Sequence, residues 1–135
     1  MLVGHGTVRA STMGYDDRPP TREEIERMKE HVAIAMENGA FGLSSGLIYP
    51  PGCYAETDEL IELCKVVSRY GGIYASHVRN EGRNLIQSVR EAIEIGGRSD
   101  VPVEISRFKA SGKPNWGKVR GALKMVEEVG PWALT

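Results

Sequence analysis

The side chains best suited to chemistry fall in four short polar clusters, each within or just after a segment with strand character. The clusters are residues 5–7 (His-Gly-Thr), 44–46 (Ser-Ser-Gly), 76–81 (Ser-His-Val-Arg-Asn-Glu) and 106–109 (Ser-Arg-Phe-Lys). In parallel α/β folds the reactive groups lie at the carboxyl ends of the strands. If these strands are parallel, we expect the clusters to meet at one edge of the sheet.

His77 is the strongest single candidate. A neutral imidazole at the end of a barrel strand is a common metal ligand, and Arg79 and Glu81 can orient it from the surrounding shell. Two structural interpretations stand beside this one. His77 can be a hydrogen-bonded, half-buried side chain, and Arg79 can form a surface ion pair with Glu81 worth under about 1 kcal/mol. One histidine does not define a site, so the residue types leave these alternatives open.

The other polar candidates also have two interpretations each. His5 can be a ligand or a turn and packing residue, whereas His31 is expected to be solvated on a helix. Lys109 can orient a substrate carboxylate or can simply be solvated. The N–H groups of residues 44–46 can bind an anion, or the segment can be a plain loop. Cys53 can be a nucleophile, but no partner histidine is identifiable near it, which favours a structural role.

Four segments have the apolar spacing of amphipathic helices. The first begins at Thr21, where Glu24 completes a capping box. The others begin near Thr57, at about residue 82 and after Asn115. Glycines follow the periodic segments, as expected of helix ends that need positive φ, and they are Gly39, Gly71-Gly72, Gly96-Gly97 and Gly130.

Strand-like runs at residues 2–9, 41–47, 73–79 and 101–108 alternate with these helices. Such alternation predicts an α/β fold with parallel strands and crossover helices. We predict four strands in chain order within one partial domain, residues 1–135. A complete (β/α)8 barrel takes about 250 residues, so this chain can supply about half of one, and an open sheet is the alternative.

Composition excludes several classes of protein. Of the 135 residues, 41% are hydrophobic, which excludes a disordered chain, and no apolar run reaches the about 18 residues of a membrane span. Seventeen Lys and Arg balance eighteen Asp and Glu without a basic block, so we expect no nucleic-acid partner. Two cysteines, Cys53 and Cys64, are too few for a disulfide framework. With no signal-peptide pattern at the start, the expected location is the cytoplasm.

Taken together, the motifs resemble those of the N-acyl-D-amino-acid deacylases, the D-aminoacylase family of the amidohydrolase superfamily. The matching segments follow one another in the family's order and cover almost the whole chain; they are residues 4–9 (GHGTVR), 39–52 (GAFGLSSGLIYPPG), 54–55 (YA), 74–82 (YASHVRNEG) and 103–109 (VEISRFK). The resemblance implies a segment of a metal-dependent (β/α)8 barrel, usually containing zinc. In such an enzyme a metal-activated water hydrolyses the amide of a small N-acyl-D-amino acid.

The resemblance also implies roles for individual residues. His77 matches a metal-ligand histidine in a Ser-His-x-Arg motif, Tyr49 matches a tyrosine of the substrate pocket, and Lys109 matches a lysine that binds the substrate carboxylate. Arg107 stands where the family has a second metal-ligand histidine, and a guanidinium has no lone pair to offer a metal. The remaining family ligands and the catalytic aspartate have no counterpart in this chain, so no catalytic residue is assigned and tight zinc binding is not expected.

Two functions follow from these patterns. The chain is either a segment of a D-aminoacylase-like hydrolase, inactive alone, or a non-catalytic half-barrel that serves as an interaction or oligomerisation module. Retention of His77, Tyr49 and Lys109 favours the first, and Arg107 favours the second. An open barrel edge exposes unpaired backbone groups, so we also expect self-association or pairing with a missing barrel half.

Overall fold

The computed structural model describes residues 1–106 and 109–134. Its strands form one sheet of five parallel strands in the order β1 to β5, so the predicted α/β fold with parallel strands is confirmed. The strands are β1 (Val3–Gly4), β2 (Gly42–Gly46), β3 (Ile73–His77), β4 (Val103–Ser106) and β5 (Ala133–Leu134). The helices are α1 (His5–Met13), α2 (Arg22–Glu37), α3 (Thr57–Arg69), α4 (Leu85–Ser99) and α5 (Lys118–Val129).

The fifth strand was not predicted. Ala133–Leu134 follows α5 through a short 3-10 turn and pairs in parallel with Val103 and Glu104 of β4. A two-residue strand carries no periodicity of its own, so only its pairing with β4 identifies it.

The prediction of a strand over residues 2–9 was wrong. β1 ends at Gly4, and α1 begins at His5. The buried residues of α1 are His5, Val8, Arg9 and Met13, a spacing of three and four residues that places them on one helix face. Polar members of that face are paired in the interior, so the segment lacked the apolar stripe that signals a helix.

The sheet has one face against the helices and one face that is partly open. Leu43, Tyr74 and Ile105 are almost completely buried and belong to the core between the sheet and the helices. Ser44 and His77 lie at alternating positions and are less buried. Consecutive helices pack side by side in chain order, which is the arrangement of an outer helical layer around part of a barrel.

The helix starts and ends agree with the sequence in most places. Thr21 and Glu24 form the predicted capping box at the start of α2. The predicted positive φ values occur at the glycines that follow α2, α3 and α5, namely Gly39, Gly71 and Gly130. Within the described ranges, no helix combines the length and the apolar character that a membrane crossing requires.

The sequence analysis placed the end of a helix before the glycine pair at residues 96–97, and this placement was wrong. Both residues lie inside α4, which ends at Ser99 and is followed by Asp100 in the left-handed conformation. A Cβ atom at Gly96 would lie 2.1 Å from Cγ2 of Val103. Gly96 is therefore required for the close approach of α4 to β4.

Candidate functional site

The carboxyl ends of three neighbouring strands form one edge of the sheet. In the parallel register Gly46 of β2 pairs with His77 of β3, and His77 pairs with Ser106 of β4. Gly46 and Ser106, the last residues of β2 and β4, therefore flank His77 on its two sides. The carboxyl ends of these three strands therefore lie side by side.

Glu81 connects two of the predicted site residues. One oxygen of its carboxylate lies 2.8 Å from Nε2 of His77, and the other lies 3.4 Å from Nζ of Lys109. The same carboxylate accepts a long hydrogen bond of 3.4 Å from the hydroxyl of Ser111. The Glu81 side chain is only 8% exposed, whereas that of Lys109 is 57% exposed. A buried acid thus joins an imidazole to a cation at the surface.

The contact with Glu81 assigns different roles to the two ring nitrogens of His77. An ionised carboxylate only accepts hydrogen bonds, so contact with an ionised Glu81 selects the tautomer of His77 that carries its proton on Nε2. In that tautomer the lone pair of His77 is on Nδ1. A carboxylate that holds one nitrogen of a histidine in this way is the usual partner of a metal-ligating imidazole.

Tyr49 completes the group of predicted residues. Its ring stands edge-on to the imidazole of His77, with ring centroids 5.4 Å apart. The tyrosine is 56% exposed, so it lies at the surface beside His77 and not in the core. The structure therefore brings Tyr49 and Lys109 to His77, the first directly and the second through Glu81.

Arg79 pairs with Glu91 and not with Glu81, so the alternative of a surface ion pair between Arg79 and Glu81 is not realised. The guanidinium instead faces Glu91 of α4, with Nε and Nη2 at 3.0 and 2.8 Å from the two carboxylate oxygens. This hydrogen bonding raises the pKa of Arg79 above its ordinary value. Of the two shell residues suggested for His77, only Glu81 contacts it.

His5 is a buried packing residue with an ionic partner that the sequence did not reveal. Its Nε2 lies 2.8 Å from one carboxylate oxygen of Glu59, and Arg9 binds the other oxygen. The side chains of all three residues are at most 2% exposed. Glu59 lies in the first turn of α3, and nothing local to it in the sequence shows that it is buried.

For the remaining candidates the structure shows ordinary hydrogen bonds, free thiols or an exposed position. Ser44 and Ser45 lie in β2, not in a loop; the Ser44 hydroxyl donates to the carbonyl of Val3, and the Ser45 hydroxyl is 2.7 Å from that of Tyr74. Cys53 and Cys64 are both free, and burial strongly raises the pKa of the Cys64 thiol. His31 is exposed on α2, as predicted.

The residues that the structure describes do not by themselves fit a zinc ion. Across residues 1–106 and 109–134, no three His, Cys, Asp or Glu side chains are grouped so that they could hold a metal. His77 and Glu81 offer two donors, and a zinc site needs three or four protein ligands. The prediction for Arg107 lies outside the described residues.

Together, the fold and this edge define a class of protein. A segment of a barrel enzyme has parallel strands, an outer helical layer and polar side chains at the carboxyl ends of the strands, as this chain does. The comparisons with known proteins identify the kind of barrel.

Relatives of this chain are D-amino-acid deacylases. Over 126 residues, 93% of the chain, it is 44% identical to D-aminoacylase of Alcaligenes xylosoxydans xylosoxydans, covering 26% of that protein. Over the same share of the chain it is 39% identical to N-acyl-D-aspartate deacylase of the same organism, covering 25% of that protein. No protein-family model matches the chain.

Solved structures give the same result. The chain superposes on a crystal structure of D-aminoacylase with a TM-score of 0.92 and 39% identity, over 98% of this chain and 28% of that one. It also superposes with a TM-score of 0.92 on N-acyl-D-glutamate deacylase from Bordetella bronchiseptica in complex with zinc and a phosphonate inhibitor, at 33% identity and with the same coverage.

These matches confirm the resemblance that the motifs had indicated. The chain is homologous to a segment of the D-aminoacylases, which are amidohydrolases, and it has the fold of that segment. It spans about a quarter of the length of the curated relatives that it matches.

Proposed function

We propose that this chain acts as the part of an N-acyl-D-amino-acid deacylase that holds one side of the active site. In the complete enzyme the reaction is hydrolysis of the amide bond of a small N-acyl-D-amino acid, supported by zinc. His77 is the residue of this chain that would ligate the metal, and Tyr49 and Lys109 contact the substrate. One observation carries the proposal: at the carboxyl edge of the sheet Tyr49 stands against His77, and Glu81 joins His77 to Lys109.

Lys109 is suited to exchange one carboxylate for another. Its ammonium lies 3.4 Å from Glu81, which is longer than a usual charge-assisted hydrogen bond, and its side chain is largely exposed. A substrate carboxylate can therefore replace Glu81 at Lys109 without the desolvation of a buried lysine. Glu81 remains on His77, 2.8 Å away, and keeps the ring oriented during the exchange.

The test of substrate binding is a titration of the isotopically labelled chain with an N-acetyl-D-amino acid, followed by amide chemical shifts. We expect shifts centred on Tyr49, His77 and Lys109, which Lys109→Met abolishes. Lys113→Met is the matched control, because Lys113 is an exposed lysine four residues further on. Equal responses of the two lysine variants would contradict the assigned role of Lys109.

The chain alone is proposed not to catalyse hydrolysis, because its described residues offer too few ligands for a catalytic metal.

The enzymatic assignment is tested in a complete enzyme, by putting this chain in place of the homologous segment of an active D-aminoacylase. We expect the transplant to be inactive as it stands and to gain activity with Arg107→His. Failure of Arg107→His to give activity in a folded transplant would contradict the enzymatic assignment.

The second candidate function is a non-catalytic half-barrel that binds other protein surfaces. Within the described residues, β1 pairs only with β2 and β5 pairs only with β4, so each has one unpaired side. We expect self-association or pairing with a complementary barrel segment through these strands. Light scattering that shows a stable monomer at high concentration would count against this behaviour. The free cysteines Cys53 and Cys64 support a reducing, cytoplasmic location.

A further inference from the structure

Arg79 joins three separate segments of the chain through four hydrogen bonds. Its Nη1 donates to the carbonyl oxygen of Cys53 at 3.0 Å, and its Nη2 donates to that of Ala55 at 2.8 Å. Nε and Nη2 bind the two oxygens of Glu91 on α4. Four of the contacts that a planar guanidinium can make are therefore used at once, in a geometry that an ammonium cannot copy.

Glu91 extends the same connection to α3. One of its oxygens accepts a hydrogen bond of 3.1 Å from the hydroxyl of Thr57, the first residue of that helix. The Arg79 and Glu91 side chains are 29% and 13% exposed, so water competes only partly for these bonds. The end of the loop after β2 is thus connected to α4 by the partly buried Arg79, and to α3 through Glu91.

The loop fixed in this way is the one that carries Tyr49. It runs from Gly46 to Ala55, and its own backbone bonds, Tyr49 N–H to Gly46 and Cys53 N–H to Tyr49, make it one connected turn. A displacement of the loop end at residues 53–55 is therefore transmitted to the ring that stands against His77.

We propose that Arg79 is a positioning residue, which sets the place of Tyr49 over His77 through the carbonyls of Cys53 and Ala55. Arg79 touches neither Tyr49 nor His77 in the bonds above, and it acts through the loop. The importance of this for substrate binding rests on the proposed function. The positioning itself is a property of the free chain and can be measured without substrate.

The experiment compares the native chain with Arg79→Lys and the matched control Arg98→Lys. Arg98 also lies next to carboxylates, those of Asp58 and Glu94, but on the exposed surface of α4. In Arg79→Lys we expect the amides of Cys53 and Ala55 to exchange at least about tenfold faster with deuterium. The reason is that the two guanidinium hydrogen bonds to the carbonyls of Cys53 and Ala55 are lost. The nuclear Overhauser contacts between the rings of Tyr49 and His77 should weaken in the same variant.

The amides of β3 and the whole Arg98→Lys variant should keep native exchange rates. If Arg79→Lys does not fold, Glu91→Gln tests the same network, because it weakens the hold on Arg79 and leaves both loop carbonyls in place. Native ring contacts and native loop exchange in a folded Arg79→Lys or Glu91→Gln chain would overturn the proposal. A loosened loop in a chain that binds no substrate would support the positioning role and refute only the proposed function.

Discussion

Nε2 of His77 lies 2.8 Å from the carboxylate of Glu81, four residues later in the chain. These residues are not in a helix, since β3 ends at His77 and α4 begins only at Leu85. The contact depends on the residues between β3 and α4, which bring the Glu81 carboxylate back to Nε2 of the imidazole. The same carboxylate lies within ion-pair distance of Lys109, so it connects the ends of β3 and β4.

Replacing Glu81 should destabilise the chain measurably. Glu81→Ala removes the acceptor from the imidazole and the partner from Lys109, and we expect a loss of about 1–3 kcal/mol in the free energy of unfolding. Glu81→Gln should cost less, because the amide oxygen still accepts from His77. Urea unfolding measures both. Glu94→Gln, a half-exposed acid on α4, is the control and should change stability by at most about 0.5 kcal/mol. Equal effects of Glu81→Ala and Glu94→Gln would refute this role.

Removing the acid from the buried cluster of His5, Arg9 and Glu59 should have a larger effect. Glu59→Gln leaves the Arg9 guanidinium without its charged partner in the interior, although Arg9 still donates to the carbonyls of Asp16 and Arg18. Breaking one partner of a buried ion pair costs about 3–5 kcal/mol.

Thermal unfolding followed by circular dichroism measures the effect of Glu59→Gln. The matched control is Glu62→Gln, one turn later on α3, where the ion pairs with Lys29 and Lys65 are partly exposed. That change should cost no more than about 1 kcal/mol. A midpoint for Glu59→Gln within the error of the control would show that the cluster contributes little.

The ion pair of Glu24 with Arg18, together with the capping box of α2, should make stability depend on pH in the acid range. Hydrogen bonds from Arg18 and from the backbone of Thr21 lower the pKa of Glu24 from its ordinary 4.5 to about 2. A carboxyl whose pKa is lower in the folded chain stabilises the fold fully above its unfolded value. This contribution is lost as the pH falls from 4.5 through about 2.

The measurement is the urea midpoint of the native chain and of Glu24→Gln across that pH range. The native chain should lose more stability on acidification than Glu24→Gln does. Glu23→Gln, which removes an exposed acid from the same helix turn, should follow the native curve. Parallel curves for the native chain and Glu24→Gln would contradict the prediction.

Zinc should bind weakly to the native chain and more tightly after one substitution. Ser106 lies in register with His77, and Arg107, which follows Ser106 in the sequence, stands where the resemblance implies a second metal-ligand histidine. Arg107→His replaces a permanent cation by a possible ligand and removes its repulsion of a divalent ion. Calorimetric titration at neutral pH should show a gain in affinity for Arg107→His, which His77→Ala then removes. Stoichiometric sub-micromolar binding by the native chain would show that the ligand assignment is wrong.

The sequence by itself determined the features that depend on near neighbours. Periodic apolar residues located α2 to α5, and the pair of Thr21 and Glu24 located a helix start, because helix formation and capping are decided within a few residues. The strands β2 to β4 followed from the alternation of elements. Motif order along the chain also indicated the D-aminoacylase resemblance and selected Tyr49, His77 and Lys109.

Only the tertiary structure decided which distant groups are partners. His5 and Glu59 are 54 positions apart, and Arg79 and Cys53 are 26 apart, so no local pattern indicates either pair. The polar residues buried on α1 removed the apolar stripe by which the sequence would have indicated a helix. Gly96 is required by the close approach of α4 to Val103 and not by a helix end. Pairing of polar groups follows from the packing of whole elements, because buried charges must find a partner wherever the fold places one.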